Sequence, residues 1–228
     1  MNLRPFAEPR RPAAGFLDGA RASIPLCIAV GAFGISFGVL ARANGWGVVA
    51  PLVMSLTTFT GASQFAAVSI LGDGGGLGAA VLASVLLASR YLPIGLSVAP
   101  VLTGSRFARF AEAQMVIDES WAVANRSGGA VNRQTLLGAG LALYVSWFLG
   151  TLVGVLGGDF LGDPEDLGLD AAFPALFLVL LIGQLKSRPA VAAALGGAVI
   201  ALALVPFARP GIPIVAASLA CFAGWWRK

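Results

Sequence analysis

Apolar positions along this chain run in long blocks, and charge sits in the breaks between them. No Asp, Glu, Lys or Arg occurs in 22–41, 43–72, 134–158 or 189–208. At 1.5 Å of helix rise per residue, each block can cross the ~30 Å hydrocarbon core of a bilayer. The runs 171–185 and 210–226 lie near the lower limit of about 17 residues, so Asp170 and Lys186 must sit at the interfaces. The pattern predicts about seven membrane segments: 21–41, 48–71, 76–102, 134–158, 170–187, 189–207 and 210–226. The expected fold is an all-α polytopic membrane helical bundle forming a single domain over 1–228, with 1–20 as a cytoplasmic tail.

The connection 103–134 has a different pattern. Taken as one helix at 100° per residue, it gathers Phe107, Phe110, Gln114, Ile117 and Trp121 within about 80° of arc, with Arg109, Glu112 and Glu119 pointing elsewhere. That predicts an amphipathic helix in the interface or packed on the bundle. Asp118 falls beside the apolar arc, either as an interfacial acid paired with a nearby Arg or in a coupling role.

Charge adds an orientation and a conflict. The chain is 11% charged and 57% hydrophobic with a net charge of +4. Its basic residues lie at membrane edges, where they set orientation and do not signal nucleic-acid binding. The N-terminal tail (Arg4, Arg10, Arg11, Arg21), 103–134 (Arg106, Arg109, Arg126, Arg133), Lys186/Arg188 and Arg227/Lys228 are basic, while 159–170 holds acids and no base. The positive-inside rule puts the first four on the cytoplasmic side and the acidic loop outside. Seven full crossings would place the two tails on opposite sides. One segment before residue 103 is therefore expected to enter and leave on the same face. The best candidate is 48–71, whose centre reads Thr57-Thr58-Phe59-Thr60-Gly61-Ala62-Ser63-Gln64. Non-helical backbone at membrane depth survives only where protein or a wet cavity satisfies it, and this centre is polar enough to do so. The first apolar run is too long for a signal-peptide core and reads as a retained span. Cys27 and Cys221 lie inside predicted spans, as small packing residues rather than a disulfide framework.

Arg90 is the only charge between residues 74 and 105, where a bilayer midplane should be. An ionisable side chain there is costly, which makes it a functional candidate. A weak internal repeat points to the same region: Gly34-x-x-x-Gly38-Val-Leu matches Gly150-x-x-x-Gly154-Val-Leu, Gln64 has a counterpart in Gln184, and Arg90 one in Arg209. Three-segment halves of this kind are commonly inverted in transporters, with the substrate between them. Small-xxx-small pairs also serve plain helix packing, within the chain or against a second membrane subunit.

The chain has no His, no phosphate loop and no pair of cysteines at metal spacing, so neither metal nor cofactor is expected. A serine nucleophile in 55–64 would lack an adjacent base, which disfavours an enzyme. Binding of an amino acid zwitterion fits better. Arg90 or a broken-helix N-terminus near Gly61 can hold a carboxylate, and Thr60, Ser63, Gln64 and Gln184 can offer oxygens to an ammonium. An apolar wall would then select the side chain. The candidates for ion coupling are Asp118, Glu119 and Asp170, acids at span ends.

Gly15-Phe-Leu-Asp-Gly-Ala-Arg21, Gly34-x-x-x-Gly38, Phe59-x-Gly61-Ala62-Ser63-Gln64-Phe65, Gly95-Leu-Ser-Val-Ala-Pro100, Asp118-Glu119-Ser120 and Leu167-Gly-Leu-Asp170-x-x-Phe173-x-x-Leu-Phe177 resemble the AzlC-type large subunit of branched-chain amino acid exporters. The likeness spans residues ~15 to 225 of the chain, and the Gly-Ala-Ser-Gln and Asp-Glu-Ser motifs are its most specific parts. It implies a multi-pass inner-membrane permease that works with a small AzlD-type membrane subunit. Such a permease exports valine, leucine, isoleucine and sometimes methionine, driven by the proton or electrical gradient. Members often read Asn-x-Arg-His around the third-segment arginine; this chain reads Ala88-Ser89-Arg90-Tyr91 and lacks that histidine as a proton carrier. Two function classes are open: a secondary transporter subunit, and a non-transporting membrane scaffold whose polar centre packs against a partner.

Overall fold

The computed structural model describes residues 15–125, 131–158 and 187–220, with Leu178, Leu181, Ile182 and Leu185 between them. The acidic loop at 159–170, Asp170, Gln184 and Cys221 lie outside the described residues. The described chain is helical throughout, without strands. Its helices are α1 (Phe16–Ala22), α2 (Ile24–Ala43), α3 (Val49–Thr57), α4 (Gly61–Gly72), α5 (Leu77–Ala88), α6 (Tyr91–Val98), α7 (Arg106–Ala113), α8 (Asp118–Ala124), α9 (Arg133–Gly157), α10 (Arg188–Leu204) and α11 (Ile212–Ser218). Of these, α2 and α9 are long and apolar enough to cross a membrane alone, and α5 with α6 makes a third span bent by 46°.

The α2–α9 pair is the spine, and glycine allows it. A Cβ on Gly34 would lie 2.6 Å from the Trp147 carbonyl oxygen, and one on Gly38 2.5 Å from that of Thr151. Gly150 and Gly154 press equally closely on the backbone of Gly31 and Ile35. In lipid, where burial of apolar surface gives helices no reason to associate, such backbone approach supplies the packing energy. The two matching glycine motifs therefore face each other inside the chain and are not free as partner surface. The contacts rise together, Gly31 with Ser146, Gly34 with Gly150, Gly38 with Gly154 and Arg42 with Gly158, so α2 and α9 run parallel. Inverted halves would make them antiparallel; the inverted arrangement expected of the repeat is not found.

Parallel α2 and α9 leave room for one net crossing between them. The segment 48–71 supplies none. It starts at Val49, just past the Asn44 cap of α2, breaks at Thr58–Thr60, and returns until Gly72 abuts the side chain of Asn44. It is the re-entrant hairpin that the charge pattern required. After the turn, α5 runs antiparallel to α4, clasped by Ser63 Oγ donating to the Ser84 carbonyl (2.9 Å) and Ser84 Oγ donating to that of Ser63 (3.1 Å). The α5–α6 span makes the crossing, and α9 starts level with α2. At the end where α2 terminates, Gly211 and Pro210 lie against Ala79 and Gly75, so α10 runs toward that end and α11 away from it. Arg188 and the 103–134 connection thus share the opposite end, as the positive-inside rule demands.

Two boundaries differ from the sequence reading. The third segment, expected to be continuous over 76–102, bends at Ser89–Arg90 because Pro93 has no N–H for the Ser89 carbonyl and its ring crowds that group. The connection is not one amphipathic helix. Ser120 Oγ accepts from Ile117 N–H at 3.0 Å and donates toward the Met115 carbonyl at 2.8 Å, which ends one helix and starts another. Phe107 and Phe110 stay outward on α7, whereas Ile117 is buried with Phe37, Phe65 and Trp147. Most of the outer surface is apolar, as a bilayer-facing surface must be: no residue of α10 is buried.

This path gives a labelling prediction. In a background with Cys27 and Cys221 replaced by Ala, Val48→Cys and Asp73→Cys should both react with a membrane-impermeant maleimide from the non-cytoplasmic face. Thr103→Cys should react only after permeabilisation. Labelling of positions 48 and 73 from opposite faces would mean a full crossing at 48–71.

Candidate functional site

The two broken helices meet at one small cavity. Its volume is about 60 Å³, and it is lined by Val30, Phe33, Phe59, Gly61, Ala62, Arg90, Tyr91, Ile117, Glu119 and Trp147. The break in α3–α4 contributes Phe59 and the first turn of α4, the bend in α5–α6 contributes Arg90 and Tyr91, and α8 dips in to contribute Glu119. The apolar remainder comes from α2 and α9.

Each element carries a reason for its placement. The hairpin tip is held by hydrogen bonds that replace those its broken helices lose. Tyr144 OH donates to the Leu56 carbonyl at 2.7 Å, capping the C-terminal end of α3. Ser55 Oγ accepts from Gln64 Nε2 (3.3 Å) and Trp147 Nε1 (3.2 Å) and shares a hydrogen bond with Thr151 Oγ1 (3.0 Å). Stacked and edge-on contacts among Phe37, Phe65 and Trp147, with centroids 5.8–6.2 Å apart, fix the wall behind it.

Arg90 is held by two neighbours and also lines the cavity. One guanidinium nitrogen lies 3.3 Å from Asp118 Oδ2 and the same nitrogen donates to Tyr91 OH at 3.0 Å. Its Nε is buried without a hydrogen bond among the described residues, as are Thr60 Oγ1 and Gln64 Oε1. A buried polar group left unpaired costs about 1–3 kcal/mol, so the orphan on Arg90, which lines the cavity, and that on the adjoining Thr60 mark where a polar guest gains most. Asp118 is the partner that holds Arg90, and Glu119 is the acid that faces the cavity. Burial, the largest influence, holds the Glu119 carboxyl above the usual carboxylate range; Asp118 adds to this, while a backbone hydrogen bond and Arg90 pull it down.

The sequence-predicted residues divide accordingly. Gly61 and Arg90 line the cavity, and Thr60 adjoins it through Gly61. Gln64 does not line it: fully enclosed, it braces Ser55 behind the tip. Ser63 also turns away, toward the Ser84 carbonyl. Both placements have one cause, the rotation of α4 that puts Gly61 and Ala62 inward, with Gly61 against the Trp147 ring. Gln184 and Asp170 lie outside the described residues. The apolar wall was expected in kind, but Val30, Phe33, Phe59, Tyr91, Ile117 and Trp147 were not singled out; their aromatic character in a mostly aliphatic chain was the available signal.

Chemically, the arrangement offers opposite charges across an apolar pocket. The α4 N-terminus and Arg90 suit an anion, and Glu119 suits a cation.

Comparison with known proteins places the chain. The family model for the AzlC protein matches residues 25–161. An uncharacterised membrane protein of Archaeoglobus fulgidus is 35% identical over 221 residues, 92% of this chain and 94% of its own length. The inner membrane protein YgaZ of Escherichia coli is 28% identical, over 88% of this chain and 86% of its own. The branched-chain amino acid transport protein AzlC of Bacillus subtilis is 25% identical, over 75% and 68%. No solved structure matches.

The orientation of α4 makes neighbouring positions distinguishable. Ala62→Cys should react with a small water-soluble thiol reagent and be protected by a bound amino acid, while Ser63→Cys and Gln64→Cys stay inert. Equal reactivity at all three would mean that α4 is rotated or exposed along its length.

Proposed function

The chain belongs to the AzlC family, and we propose that it is the large subunit of a secondary transporter that exports branched-chain amino acids across the inner membrane. Valine, leucine and isoleucine are the intended substrates, with methionine as an unbranched neighbour in size. A small AzlD-type membrane subunit completes the permease. The observation that carries this reading is the cavity in which Gly61, Arg90 and Glu119 meet under an apolar wall.

In this reading the substrate carboxylate lies on the first turn of α4 and on the free edge of Arg90. The ammonium lies on Glu119, and the branched side chain on Phe33, Phe59 and Trp147. A cavity of about 60 Å³ has room for on the order of four water molecules. A branched-chain amino acid is larger, so loading widens the pocket, and Tyr91 or Phe59 is the side chain that moves. The name of the Bacillus relative supports the substrate class. The transport character of the family, with the absence of an activated nucleophile at the site, supports a permease over an enzyme.

Glu119 supplies a coupling device in place of the histidine this chain lacks. Burial raises the proton affinity of the Glu119 carboxyl above that of an exposed acid. An arriving ammonium displaces the proton, and departure of the substrate lets a proton return. Proton entry is thereby exchanged for substrate exit. As pH falls through the raised Glu119 value, protons compete increasingly with the ammonium for the carboxylate and binding weakens; as pH rises above it, the carboxylate is charged and binds.

Export of preloaded radiolabelled valine from proteoliposomes, with and without the small subunit, tests the reading. Efflux should need both chains and quicken under an inward proton gradient. Arg90→Lys should reduce it at least tenfold, because a point charge cannot both hold Asp118 and offer a planar edge. Glu119→Gln should abolish the response to the gradient. No efflux in any arrangement, with stable assembly of the two chains, would favour the scaffold. Full activity of this chain alone would remove the partner from the account.

A further inference from the structure

On the other side of Tyr91 lies a second hollow. It measures about 510 Å³ and runs between α6 and α7, with Tyr91, Val98, Leu102 and Phe110 among its apolar walls and Arg106 and Arg109 at its edge. Nothing in the zwitterion reading uses it.

Three features fix its chemistry. First, its positive charge is uncompensated. Glu112, the one acid of α7, is held by Arg133, whose Nε donates to Oε2 at 3.1 Å and whose Nη2 donates to Oε1. Arg106 and Arg109 form no ion pair among the described residues. Second, the hollow is amphipathic: the basic edge opens onto a long apolar floor, with no acid among its lining residues to receive an ammonium. Third, α7 carries Phe107 and Phe110 outward, 82% and 64% exposed, beside those arginines. A short helix that exposes aromatics beside arginines suits a lipid interface, where the rings enter the acyl boundary and the guanidinium groups reach the headgroups.

We propose that this cleft is a binding site for an anionic phospholipid of the cytoplasmic leaflet. The phosphate sits on Arg106 and Arg109, and an acyl chain lies against Val98 and Leu102. The leaflet follows from topology: the cleft belongs to the end of the bundle that carries the basic residues, and the cytoplasmic surface is where anionic lipid attracts juxtamembrane arginine. Since Tyr91 forms a wall of both hollows, a bound lipid also braces the side chain that closes the substrate pocket. The site itself stands on α6 and α7 and is independent of what the pocket transports.

Native mass spectrometry of the purified protein, titrated with phosphatidylglycerol, phosphatidylcholine of the same chains, or glycerol 3-phosphate, tests this. Phosphatidylglycerol should bind at one site at least tenfold more tightly than phosphatidylcholine, and glycerol 3-phosphate should not displace it. Arg106→Gln with Arg109→Gln should remove that preference. Arg106→Lys with Arg109→Lys should retain most of it, which separates lost charge from lost fold. Arg21→Gln with Arg188→Gln, also exposed basic positions, should leave it intact. Equal affinity for the two lipids, displacement by glycerol 3-phosphate, or the same loss in the Arg21/Arg188 control would overturn the proposal.

Discussion

A polypeptide in hydrocarbon must satisfy its own backbone, and this chain breaks two helices where that demand is hardest to meet. What makes the breaks tolerable is the close approach of α2 and α9. Gly34, Gly38, Gly150 and Gly154 bring the two backbones together, and Trp147, Tyr144 and Thr151 then project from α9 onto the re-entrant tip. Ser55 is the meeting point: Gln64 and Trp147 donate to it and Thr151 shares a hydrogen bond with it. Without the glycine seam these partners would stand too far away to replace the lost helix hydrogen bonds.

The breaks then define the site. A continuous helix through 57–61 would bury the N–H groups of the first turn of α4 in its own ladder, and a continuous helix through 89–91 would carry Arg90 along a lipid-facing wall. Broken, the two segments aim a partial positive helix end and a guanidinium into the same small space. The α8 turn adds the opposing charge, because Ser120 replaces the helix hydrogen bonds at Ile117 and lets the chain dip inward. Asp118 and Glu119, adjacent in sequence, take different tasks: one holds Arg90 in place and the other faces the cavity.

Much of this was legible in the residues, and the remainder has physical reasons for being hidden. The spans at α2 and α9 and the shorter apolar helix α10 follow from uninterrupted apolar runs, and the re-entrant 48–71 followed from counting charges across faces. Arg90 stood out because a lone charge at membrane depth demands a role, and its pairing with Asp118 was one of the readings that the position of the acid allowed. The rotation of α4 was not legible, since it depends on which side meets Trp147; Ser63 and Gln64, named as substrate contacts from composition, are hydrogen-bonded to the Ser84 carbonyl and to Ser55 respectively. The bend at Arg90 had a signal in Pro93 that a search for charge-free runs passes over. The inverted repeat misled because the glycines that matched are packing complements of each other, a pattern that sequence similarity cannot tell from duplication.

The central claim is that one pocket reads both charges of an amino acid. Valine, isobutylamine and isovalerate share a side chain and differ in those charges, so their binding to the purified protein, followed by isothermal titration calorimetry, tests it most directly. Valine should bind, and each single-charge analogue should bind at least a hundredfold more weakly. Glu119→Gln should selectively erase the advantage of valine over isovalerate. Comparable affinity for valine and either analogue would contradict the account, because the pocket would then be recognising the side chain and not the zwitterion.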